Sequence, residues 1–419
     1  MSGPFDRLNY TGDGLLLRSY RLDKYVAGLP KKYPRLFLKK IDLRKVLMGG
    51  EAGFSSASYA RMTGDLLWPS RSIVDSPYVE LLNQYLAEGE NLFLPDRFKA
   101  TSYYQNAAHS IELYGEYFGL QAPEDIVELG RKFCRRLHAK SFNHEDPAET
   151  GFEPHIVVQR IKSSDCYQIV EGQHRLALAW VEGLKEYKCL VRPSSPVLTP
   201  IQQMIIDSSW TLGRPQVYQP IAAPELASWP MVRRCSDRFE MMAQWLEARA
   251  IRSGSFLDIG CSYGWFVDQM RRRGFQSTGV DRDAAAVLVG RLAYGLDAKA
   301  TQLTDIINFL DSQGARYDVV SCFSVLHHFV RRQNRISAAE LIRKVDAVTG
   351  SVLFFDTGEC HEEWFKDSLP GWDGPFIQKW LRENSSFTRI EILGTDSDNV
   401  RPFEKNYRRH LFACSRESE

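Results

Sequence analysis

SFLDIGCSYGWF, residues 255–266, is the most informative stretch of the chain. An apolar strand leads into the spacing Asp258-x-Gly260-x-x-x-Gly264, and a helical segment follows. Gly260 lets the backbone turn sharply and lets a ligand approach the main chain closely. The helix that begins near Gly264 presents unpaired amide groups at its N-terminus. The pattern therefore predicts a ligand-binding turn between a strand and a helix.

An acidic residue at the end of the next strand accompanies this turn. Asp281 follows the strand Ser277–Val280 and lies 21 residues after Gly260, where a carboxylate can accept hydrogen bonds from both ribose hydroxyls of a nucleoside. Dinucleotide turns prefer GxGxxG, in which the middle glycine leaves room for a pyrophosphate. Position 262 is Ser262, which fits S-adenosylmethionine better because that cofactor has no phosphate, and Asp258 would face its ammonium group. A tight turn without a ligand is the simpler alternative.

The rest of the C-terminal half alternates strand and helix patterns. Strands are expected at Tyr317–Phe323, Gly350–Phe355, Arg389–Leu393 and His410–Cys414, and a helix is expected over Ala284–Leu292. This alternation predicts an α/β fold with a Rossmann-like, doubly wound and mostly parallel sheet that is covered by helices on both faces.

Residues 233–416, a little under half of the chain, resemble a class I S-adenosylmethionine-dependent methyltransferase. LDIGCSYGWF is similar to the first motif of that family, and TGVDRD, residues 278–283, is similar to its second motif. YDVVSCFSVLHHF, residues 317–329, resembles the fourth-strand motif, and SVLFFDTGE, residues 351–359, resembles the fifth strand. SVLHH together with this first motif is most similar to the methyltransferase half of bacterial polysaccharide chain-terminating kinase–methyltransferases.

That resemblance implies roles for the matching positions. The turn after the first strand would line the methionine end of the cofactor, and the acid after the second strand would hold the ribose, with the next residue beside the adenine. The segment after the third strand would flank the adenine, and an aromatic residue of the fourth strand would close the pocket. In that order, the positions are Asp258, Gly260, Ser262, Gly264, Asp281, Arg282, Leu303, Thr304, Asp305 and Phe323. Ser262 departs from the family pattern, which has glycine there.

Two adjacent histidines follow the fourth strand, near where substrates usually enter such folds. In methyl transfer from a sulfonium, the protein mainly aligns the acceptor and excludes water. A sugar or phenol hydroxyl also needs a general base, and an unperturbed imidazole titrates near neutral pH. We predict His327, and after it His328, as catalytic bases. The alternative is that one caps a helix and the other is packed in the core.

A phosphate or carboxylate acceptor would need cationic residues instead of a base. Arg401, Lys405, Arg408 and Arg409 cluster near the C-terminus and could bind such a group. A solvated surface run is the simpler explanation of this cluster. No spacing of histidines and carboxylates typical of a metal site stands out, so a metal-independent enzyme is predicted.

A second strand–glycine–helix pattern lies in the N-terminal half. Glu171-Gly172-Gln173-His174-Arg175 separates a short strand from an apolar helix, and helix amides with an arginine can bind phosphate. Residues 155–193 resemble the ParB/sulfiredoxin-like superfamily. The resemblance implies that Glu171, Gly172, His174 and Arg175 contact ATP or another nucleotide. Gln173 replaces a histidine that is frequent in that family, and a degenerate domain with a structural Glu171–Arg175 pair is the alternative.

A proline-rich segment divides the chain. The segment from Arg192 to Pro230 contains seven prolines, with Pro230 as the last, which indicates an extended connection. We predict an N-terminal α+β domain over 1–195, ParB-like around 155–193, then a linker over 196–232 and a methyltransferase domain over 233–416. Helices are expected at 77–87, 125–137 and near 173–182, and strands at 155–161 and 166–170.

Composition excludes several classes of protein. The formal net charge is +1, with 53 basic and 52 acidic residues, so general attraction to nucleic acid or anionic membrane is not expected. No apolar run approaches the length of a membrane span, and the first ten residues do not resemble a secretory signal. The eight cysteines are scattered without a CxxC pair, which fits a reducing cytoplasm.

These observations leave three functional hypotheses. The first is O-methylation of a saccharide or other glycan-related acceptor in polysaccharide or natural-product biosynthesis. The second is a kinase–methyltransferase that also uses the N-terminal nucleotide site. The third is a nucleotide-responsive binding protein without chemistry. Nucleic-acid methylation is disfavoured, because the fourth strand lacks the Asn/Asp-Pro-Pro-aromatic motif of amino-methylating enzymes.

Overall fold

A computed structural model describes residues 34–48, 72–138, 156–208, 213–331, 335–398, 401 and 403–416. These residues fall into two compact units, an N-terminal unit that ends at Thr199 and a C-terminal unit that begins at Pro200. His155, which begins one of the predicted strands, lies outside the described residues.

The described part of the N-terminal unit combines short helices with strands. Its helices are α1 (Pro34–Phe37), α2 (Pro77–Glu88), α3 (Pro95–Lys99), α4 (Ser102–Tyr114), α5 (Ile126–Arg135) and α6 (Gln173–Val181), and its strands are β1 (Leu38–Asp42), β2 (Val46–Leu47), β3 (Val157–Arg160), β4 (Tyr167–Glu171) and β5 (Glu186–Val191). The predicted helices α2, α5 and α6 and strands β3 and β4 are confirmed within a few residues. Helix α2 begins where Ser76 accepts a hydrogen bond from the Val79 amide and Pro77 occupies the first turn, as expected of an N-cap.

In the described residues, these strands form one sheet in the order β1-β5-β3-β4-β2. β3 pairs antiparallel with β4 and parallel with β5, and β2 pairs parallel with β4. Helices α2, α4, α5 and α6 contribute apolar side chains to the core of this unit. This mixed architecture agrees with the predicted α+β class, and the ParB-like resemblance stays a prediction.

The C-terminal unit alternates strands and helices as predicted. Its helices are α7 (Pro200–Asp207), α8 (Ser236–Ala248), α9 (Trp265–Arg272), α10 (Ala284–Tyr294), α11 (Ile306–Ser312), α12 (Leu326–Arg331), α13 (Ala338–Val348) and α14 (Gly374–Asn384), and its strands are β6 (Gly254–Ile259), β7 (Phe275–Asp281), β8 (Thr301–Leu303), β9 (Tyr317–Phe323), β10 (Thr349–Asp356), β11 (Arg389–Thr395) and β12 (His410–Ser415). Asp283, Asp305 and Ser337 cap the amides that begin α10, α11 and α13, so the local sequence explains where these helices start.

The seven strands described in this unit follow the order β11-β12-β10-β9-β6-β7-β8. β10, β9, β6, β7 and β8 run parallel, and β12 pairs antiparallel with β10 and β11. Both faces are covered: Leu257 and Phe355 belong to one apolar cluster, and Phe256 and Phe354 belong to another. The chain order reverses between β6 and β9, and in open α/β sheets ligands bind beside the carboxyl ends of strands at such a point. The Rossmann-like prediction is therefore confirmed.

The predicted linker, 196–232, differs from the structure. From Pro200 onward its described residues belong to the C-terminal unit, where α7 packs against α10. The Val217 amide donates to the Pro230 carbonyl at 2.9 Å, which folds the segment back on itself. Val217, Leu226 and Trp229 share one buried apolar cluster with α7 and α10. The apolar residues between the prolines thus have a surface to cover, and burying them favours a packed arrangement over an extended one.

Candidate active site

The turn after β6 has the backbone conformation that its glycines predict. Gly260 and Gly264 have φ values of +75° and +77°, which glycine adopts easily. A Cβ on Gly260 would lie 2.5 Å from Val325 Cγ2, so a side chain does not fit there. Ser262 has φ +52°, and it therefore carries backbone strain that the glycine of the family pattern would avoid. The Gly260 amide donates to the Val280 carbonyl at 2.9 Å, which fixes the turn against β7.

Asp281 ends β7 directly beside this turn. Its Oδ2 accepts a hydrogen bond from the Ser262 amide at 2.8 Å, and its Oδ1 accepts one from the Asp283 amide at 2.9 Å. Burial raises the pKa of the Asp281 carboxyl, and these amides act in the opposite direction. The Asp281 carbonyl also accepts a hydrogen bond from the Thr304 amide at 3.0 Å. The carboxylate is thus held in one orientation at the edge of the glycine turn.

Asp258 lies near the end of β6 and has an unsatisfied oxygen. The Ser321 hydroxyl donates to its Oδ1 at 2.6 Å, whereas its buried Oδ2 has no hydrogen-bond partner among the described residues. Burial raises the pKa of Asp258 to about 7. A buried carboxylate oxygen without a donor is costly, and an ammonium group would satisfy it. The site therefore fits the methionine ammonium of S-adenosylmethionine.

The residues predicted on the adenine side lie along the same edge of the sheet. Leu303 pairs with Asp281 across β7 and β8, and 52% of its surface is exposed. Thr304 follows it and contacts Asp281 as described. The Asp305 carboxylate accepts the Ile307 amide at 2.9 Å, so it serves as the cap of α11. Arg282 is exposed.

Phe323, which is predicted to close the cofactor pocket, ends β9. Its ring lies 4.9 Å from the Phe266 ring, centroid to centroid. The Arg238 guanidinium lies over both rings, 5.3 Å from the centroid of Phe323 and 5.4 Å from that of Phe266. Arg238 Nη1 donates to Asp356 Oδ2 at 2.9 Å. Phe323 is therefore packed on one side and bounded by a charged network on the other.

The two histidines predicted as bases have different surroundings. His327 is buried, and its Nδ1 accepts a hydrogen bond from the Gly358 amide at 3.1 Å. Burial and then the charge of Arg409 hold the pKa of His327 well below its usual value. A neutral His327 consequently carries its proton on Nε2, and its acceptor nitrogen is already engaged. This geometry argues against His327 as a general base, whereas the exposed His328 stays a prediction.

A buried network of charges surrounds the carboxyl end of β10. Asp356 Oδ2 lies 2.9 Å from Arg238 Nη1 and 3.4 Å from Arg233 Nη2, and Asp356 Oδ1 accepts the Ser324 amide at 2.7 Å. Burial acts to raise the pKa of Asp356, but Arg238 and Arg233 outweigh it and lower that pKa. Arg233 also pairs with Asp396 at 3.2 Å. Sequence reasoning missed this network, and its one signal was an aspartate that ends the apolar run VLFFD.

The C-terminal basic residues do not form the anion-binding cluster that the sequence left open as one possibility. Three of them pair with nearby glutamates, which neutralises most of the positive charge, and one of the three is buried. Arg408 is exposed. The pairs are Arg409 with Glu362 at 2.8 Å, Lys405 with Glu363 at 2.7 Å and Arg401 with Glu404 at 3.2 Å.

The glycine turn predicted in the N-terminal unit also has its expected backbone. β4 ends at the exposed Glu171, and Gly172 has φ +101° and precedes α6. A Cβ on Gly172 would lie 2.8 Å from Ile156 Cγ1 and 3.2 Å from Arg175 Nη2. The Arg175 guanidinium is therefore folded back over the turn.

His174, in the first turn of α6, is packed among aromatic rings. Its ring lies 4.1 Å from the Phe133 centroid and 4.6 Å from the Phe118 centroid. The Tyr103 hydroxyl lies 3.2 Å from His174 Nε2. Burial, followed by the charge of Arg136, lowers the pKa of His174 to about 3. A neutral, stacked imidazole is poorly suited to bind phosphate through charge.

The part of the chain that the structure describes contains neither a metal-binding cluster nor a membrane-spanning helix. Among the described residues, no group of three or more His, Cys, Asp and Glu side chains is placed to hold a metal ion. Within the same residues, no helix has the length and apolarity to cross a membrane. All eight cysteines are free thiols, and all except Cys360 are buried.

Comparisons with known proteins point to one class. Residues 231–378 match the family model described as a methyltransferase domain. The chain is 31% identical over 128 residues to the ubiquinone biosynthesis O-methyltransferase of Hahella chejuensis, covering 30% of this chain and 52% of that protein. For the protein of that name from Alkalilimnicola ehrlichii, the identity is 34% over 112 residues, covering 26% and 43%. The chain thus spans about half the length of the curated relatives it matches.

Solved structures give more distant matches. A crystal structure of WbdD has a TM-score of 0.41 at 18% identity, covering 51% of this chain and 46% of that one. Another structure of WbdD is described as that of a bifunctional kinase-methyltransferase. Magnesium protoporphyrin IX methyltransferase from Synechocystis has a TM-score of 0.31 at 18% identity, covering 43% and 80%.

The C-terminal unit therefore contains a methyltransferase domain, by its fold, by its glycine turn and by the family match. S-adenosylmethionine is the cofactor that the family match and the polar groups of the site both support.

Proposed function

We propose that this protein transfers the methyl group of S-adenosylmethionine to a hydroxyl oxygen of its acceptor. The observation that carries the proposal is the presence of two carboxylates, those of Asp281 and Asp258, at the same edge of the sheet. Asp281 is held by the amides of Ser262 and Asp283, and Asp258 keeps a buried oxygen without a partner among the described residues. One suits a ribose diol and the other an ammonium group, which are separate parts of this cofactor.

Each residue of the proposed site either binds the cofactor or excludes water from the reacting centre. When bound, S-adenosylmethionine supplies an activated methyl group on a sulfonium. Asp281 would accept hydrogen bonds from the ribose hydroxyls, and Asp258 would pair with the ammonium. Phe323 and Phe266 would keep water from the reacting centre, because their rings are packed together with Arg238 over them. Alignment and exclusion of water are the main catalytic needs of such a displacement.

A saccharide hydroxyl is the proposed acceptor. The sequence motif SVLHH beside the first motif supports this choice. The curated relatives are named O-methyltransferases of ubiquinone biosynthesis, which supports oxygen as the methylated atom. In this proposal the N-terminal unit recognises the acceptor or a nucleotide through Glu171, Gly172 and Arg175, whereas the neutral, stacked His174 supports the turn. The reducing cytoplasm is the proposed location, because all eight cysteines are free thiols.

Release of S-adenosylhomocysteine in the presence of hydroxyl compounds tests the proposed activity. The panel contains methyl glycosides, short oligosaccharides, and catechol with 4-nitrocatechol. We expect release with at least one member, and loss of release in Asp281→Ala. Asp311→Ala is the matched control, because Asp311 is an exposed carboxylate that pairs with Lys344 on the surface. Binding of S-adenosylmethionine without transfer to any hydroxyl would refute the O-methyltransferase proposal.

Titration with ATP and CTP tests the N-terminal part of the proposal. Nucleotide binding that is lost in Arg175→Ala would support a second, nucleotide-binding site, and consumption of ATP would extend it to kinase activity. Absence of binding to the wild-type protein would restrict this unit to recognition of the acceptor.

A further inference from the structure

His327 is a buried imidazole whose two nitrogens have different surroundings. It is 4% exposed, and its Nδ1 accepts a hydrogen bond from the Gly358 amide at 3.1 Å. A neutral imidazole has one protonated nitrogen, so an Nδ1 that accepts leaves the proton on Nε2. Nε2 makes no hydrogen bond with any residue that the structure describes. A buried N–H group without an acceptor is costly, which indicates that Nε2 meets an oxygen that these residues do not supply.

The contact between Nδ1 and the Gly358 amide is held in place by packing. A Cβ on Gly358 would lie 2.5 Å from the Phe365 ring, so the backbone at Gly358 lies directly against that ring. The Phe365 ring in turn lies 4.7 Å from the His327 ring, centroid to centroid. The amide and the imidazole therefore pack against the same aromatic ring, which fixes the tautomer of His327.

Positive charge around His327 keeps the imidazole neutral. Burial is the largest cause that holds the pKa of His327 well below its usual value, and nearby cationic groups add to it. In order of their effect, these groups are Arg409, His328, Arg331 and Arg233. With Nδ1 engaged and the ring neutral, His327 presents an N–H donor at Nε2 and no lone pair.

A contact with the glycine turn places His327 beside the cofactor site. Val325 Cγ2 lies 2.5 Å from a Cβ built on Gly260, so the segment after β9 lies directly against the turn after β6. His327 follows Val325 by two residues, which separates their Cα atoms by at most about 7 Å. The imidazole thus belongs to the segment that covers the turn.

A second path joins His327 to Phe323, the aromatic residue that ends β9. The Arg409 guanidinium lies over the Phe365 ring, 5.5 Å from its centroid, and the same ring packs on His327. Arg409 Nη1 donates to the Ser324 hydroxyl at 2.8 Å, and Ser324 is the residue after Phe323. His327 and Phe323 are therefore linked through one continuous set of side-chain contacts.

These contacts lie on the face of the sheet that carries Asp258. Asp258 pairs with Ser321 across β6 and β9, and Phe323 pairs with Asp356 across β9 and β10. Paired residues project to the same face, and so do residues two apart on one strand. Arg409 Nη1 lies 3.9 Å from Asp356 Oδ1. The path from His327 through Arg409 thus reaches the same face as Asp258 and Phe323.

The strand order separates the acceptor side of the site from the cofactor side. Asp281 and Asp258, which are proposed to bind the ribose and the ammonium group, lie near the ends of β7 and β6. His327 is hydrogen-bonded to Gly358, which follows β10, and β9 lies between β10 and β6. An acceptor that approaches the methyl group from β9 and β10 would meet His327, whereas the adenosine would lie over β6 and β7.

We propose that His327 Nε2 donates a hydrogen bond to the acceptor oxygen and orients it toward the methyl group; this inference deepens the proposed function and rests on it. A hydroxyl oxygen has two lone pairs. One can accept the hydrogen bond from Nε2 while the other faces the methyl carbon. His327 takes no proton in this role, and the Gly358 amide is the group that positions it.

Two substitutions of His327 separate the roles of its nitrogens. Asparagine reaches about as far as Nδ1, so His327→Asn keeps an acceptor for the Gly358 amide and removes the donor at Nε2. Glutamine reaches about as far as Nε2, so His327→Gln restores a donor there. With the hydroxyl acceptor that the wild-type protein methylates fastest, kcat/KM should fall about tenfold in His327→Asn, the loss of one hydrogen bond, and less in His327→Gln. A role limited to holding Gly358 would reverse this order and overturn the inference.

Calorimetry supplies a readout that needs no turnover. The same acceptor is titrated into protein saturated with S-adenosylhomocysteine, and its affinity should weaken about tenfold in His327→Asn. The affinity for S-adenosylhomocysteine itself should not change. His109→Asn is the matched control, because His109 is a partly exposed imidazole beside Glu112 in the N-terminal unit, and it should match the wild-type protein.

Thermal unfolding checks that each variant is folded, and His327→Ala repeats the measurements if the asparagine variant is not. Unchanged acceptor affinity, or a loss of S-adenosylhomocysteine affinity in its place, would overturn the inference. An acidic limb of the wild-type pH–rate profile that disappears in both His327 variants would also overturn it, because His327 would then act as a base. Failure of the wild-type protein to bind S-adenosylmethionine, or to methylate any hydroxyl, would instead overturn the proposed function and this inference with it.

Discussion

The chain contains two strand–glycine–helix turns, one after β6 and one after β4. Gly260 and Gly172 both adopt positive φ, +75° and +101°, and a Cβ on either would collide with a neighbouring side chain. The first turn ends beside Asp258, with an unsatisfied buried oxygen, and beside Asp281, held by amides. The second leads into His174, whose ring is stacked among aromatic side chains.

This difference shows that glycine spacing reports backbone geometry and does not by itself report a ligand site. A ligand site is indicated by buried polar groups that have no hydrogen-bond partner within the described protein, or by carboxylates that the protein holds in one orientation. At Asp258 burial raises the pKa to about 7, which a cationic ligand would reverse. At His174 burial lowers the pKa to about 3, which is the expected result of ordinary core packing.

The largest expected effect comes from placing a methyl group in each turn. Gly260→Ala should reduce stability by about 2–4 kcal/mol, from its conformation and from contact with Val325, and should abolish S-adenosylmethionine binding. Gly172→Ala should cost about as much in the N-terminal unit and leave that binding intact. Thermal unfolding and calorimetric titration measure both effects. Equal loss of binding in the two variants would remove the distinction between the turns.

Much of the difference between the turn after β6 and the turn after β4 could be predicted from the sequence. SFLDIGCSYGWF and the acid at position 281 predicted the turn and its partner, because both depend on residues close in sequence to strand ends. The fold of 233–416 followed from alternating patterns. The buried pairs of Arg233 and Arg238 with Asp356 could not be predicted, since each joins positions more than a hundred residues apart.

The predictions that differ from the structure fail for the same reason, because they too depend on contacts between residues that are distant in sequence. Prolines in 196–232 predicted a linker, but Val217, Leu226 and Trp229 find an apolar surface supplied by α7 and α10. His327 was singled out by its place after β9, and its surroundings are set by the distant Gly358 amide.

Asp258→Asn should have the next largest effect. The substitution keeps the shape of the side chain and removes the negative charge that would pair with the ammonium group of the cofactor. Binding of S-adenosylmethionine should therefore weaken at least tenfold, which is about the loss of one charged hydrogen bond. A carboxyl whose pKa is raised on folding loses stability as pH rises through the folded pKa. The ligand-free wild-type protein should therefore lose stability relative to Asp258→Asn from about pH 4, near the unfolded pKa of a carboxyl, to about pH 7, the folded pKa.

Calorimetry in buffers of different ionisation enthalpy sharpens this test. Pairing with an ammonium should ionise Asp258, so binding should release protons below about pH 7 and release few at higher pH. Proton release that is unchanged in Asp258→Asn would show that this carboxyl does not meet the cofactor.

A smaller effect is expected at the other turn, from His174→Phe. The neutral imidazole is packed like an aromatic core residue, and the substitution removes one hydrogen bond to Tyr103, a loss of about 1 kcal/mol. Because the folded pKa of His174 is depressed, its contribution to stability is lost as pH falls from about 6.5 toward 3. His174→Phe should therefore reduce the loss of stability in that interval, as measured by urea unfolding across pH. An unchanged pH dependence would mean that His174 is protonated in the folded protein.

The smallest effect is expected from Ser262→Gly. Ser262 has φ +52°, and glycine would relieve this strain while keeping the amide that donates to Asp281. The free energy of unfolding should rise by about 1 kcal/mol, with little change in cofactor affinity. Urea unfolding measures the first quantity and calorimetry the second. A decrease in stability would indicate that the serine side chain makes a stronger contribution than its backbone strain costs.

Titration with S-adenosylhomocysteine tests the central claim most directly, since it needs no acceptor. The wild-type protein, Asp281→Ala and Glu171→Ala, one acid from each turn, are compared at the same pH and salt concentration. We predict micromolar binding by the wild-type protein, binding about 100-fold weaker in Asp281→Ala from the loss of charged hydrogen bonds, and unchanged binding in Glu171→Ala. Wild-type affinity in Asp281→Ala, or no binding by the wild-type protein, would contradict the assignment of the cofactor site to the turn after β6.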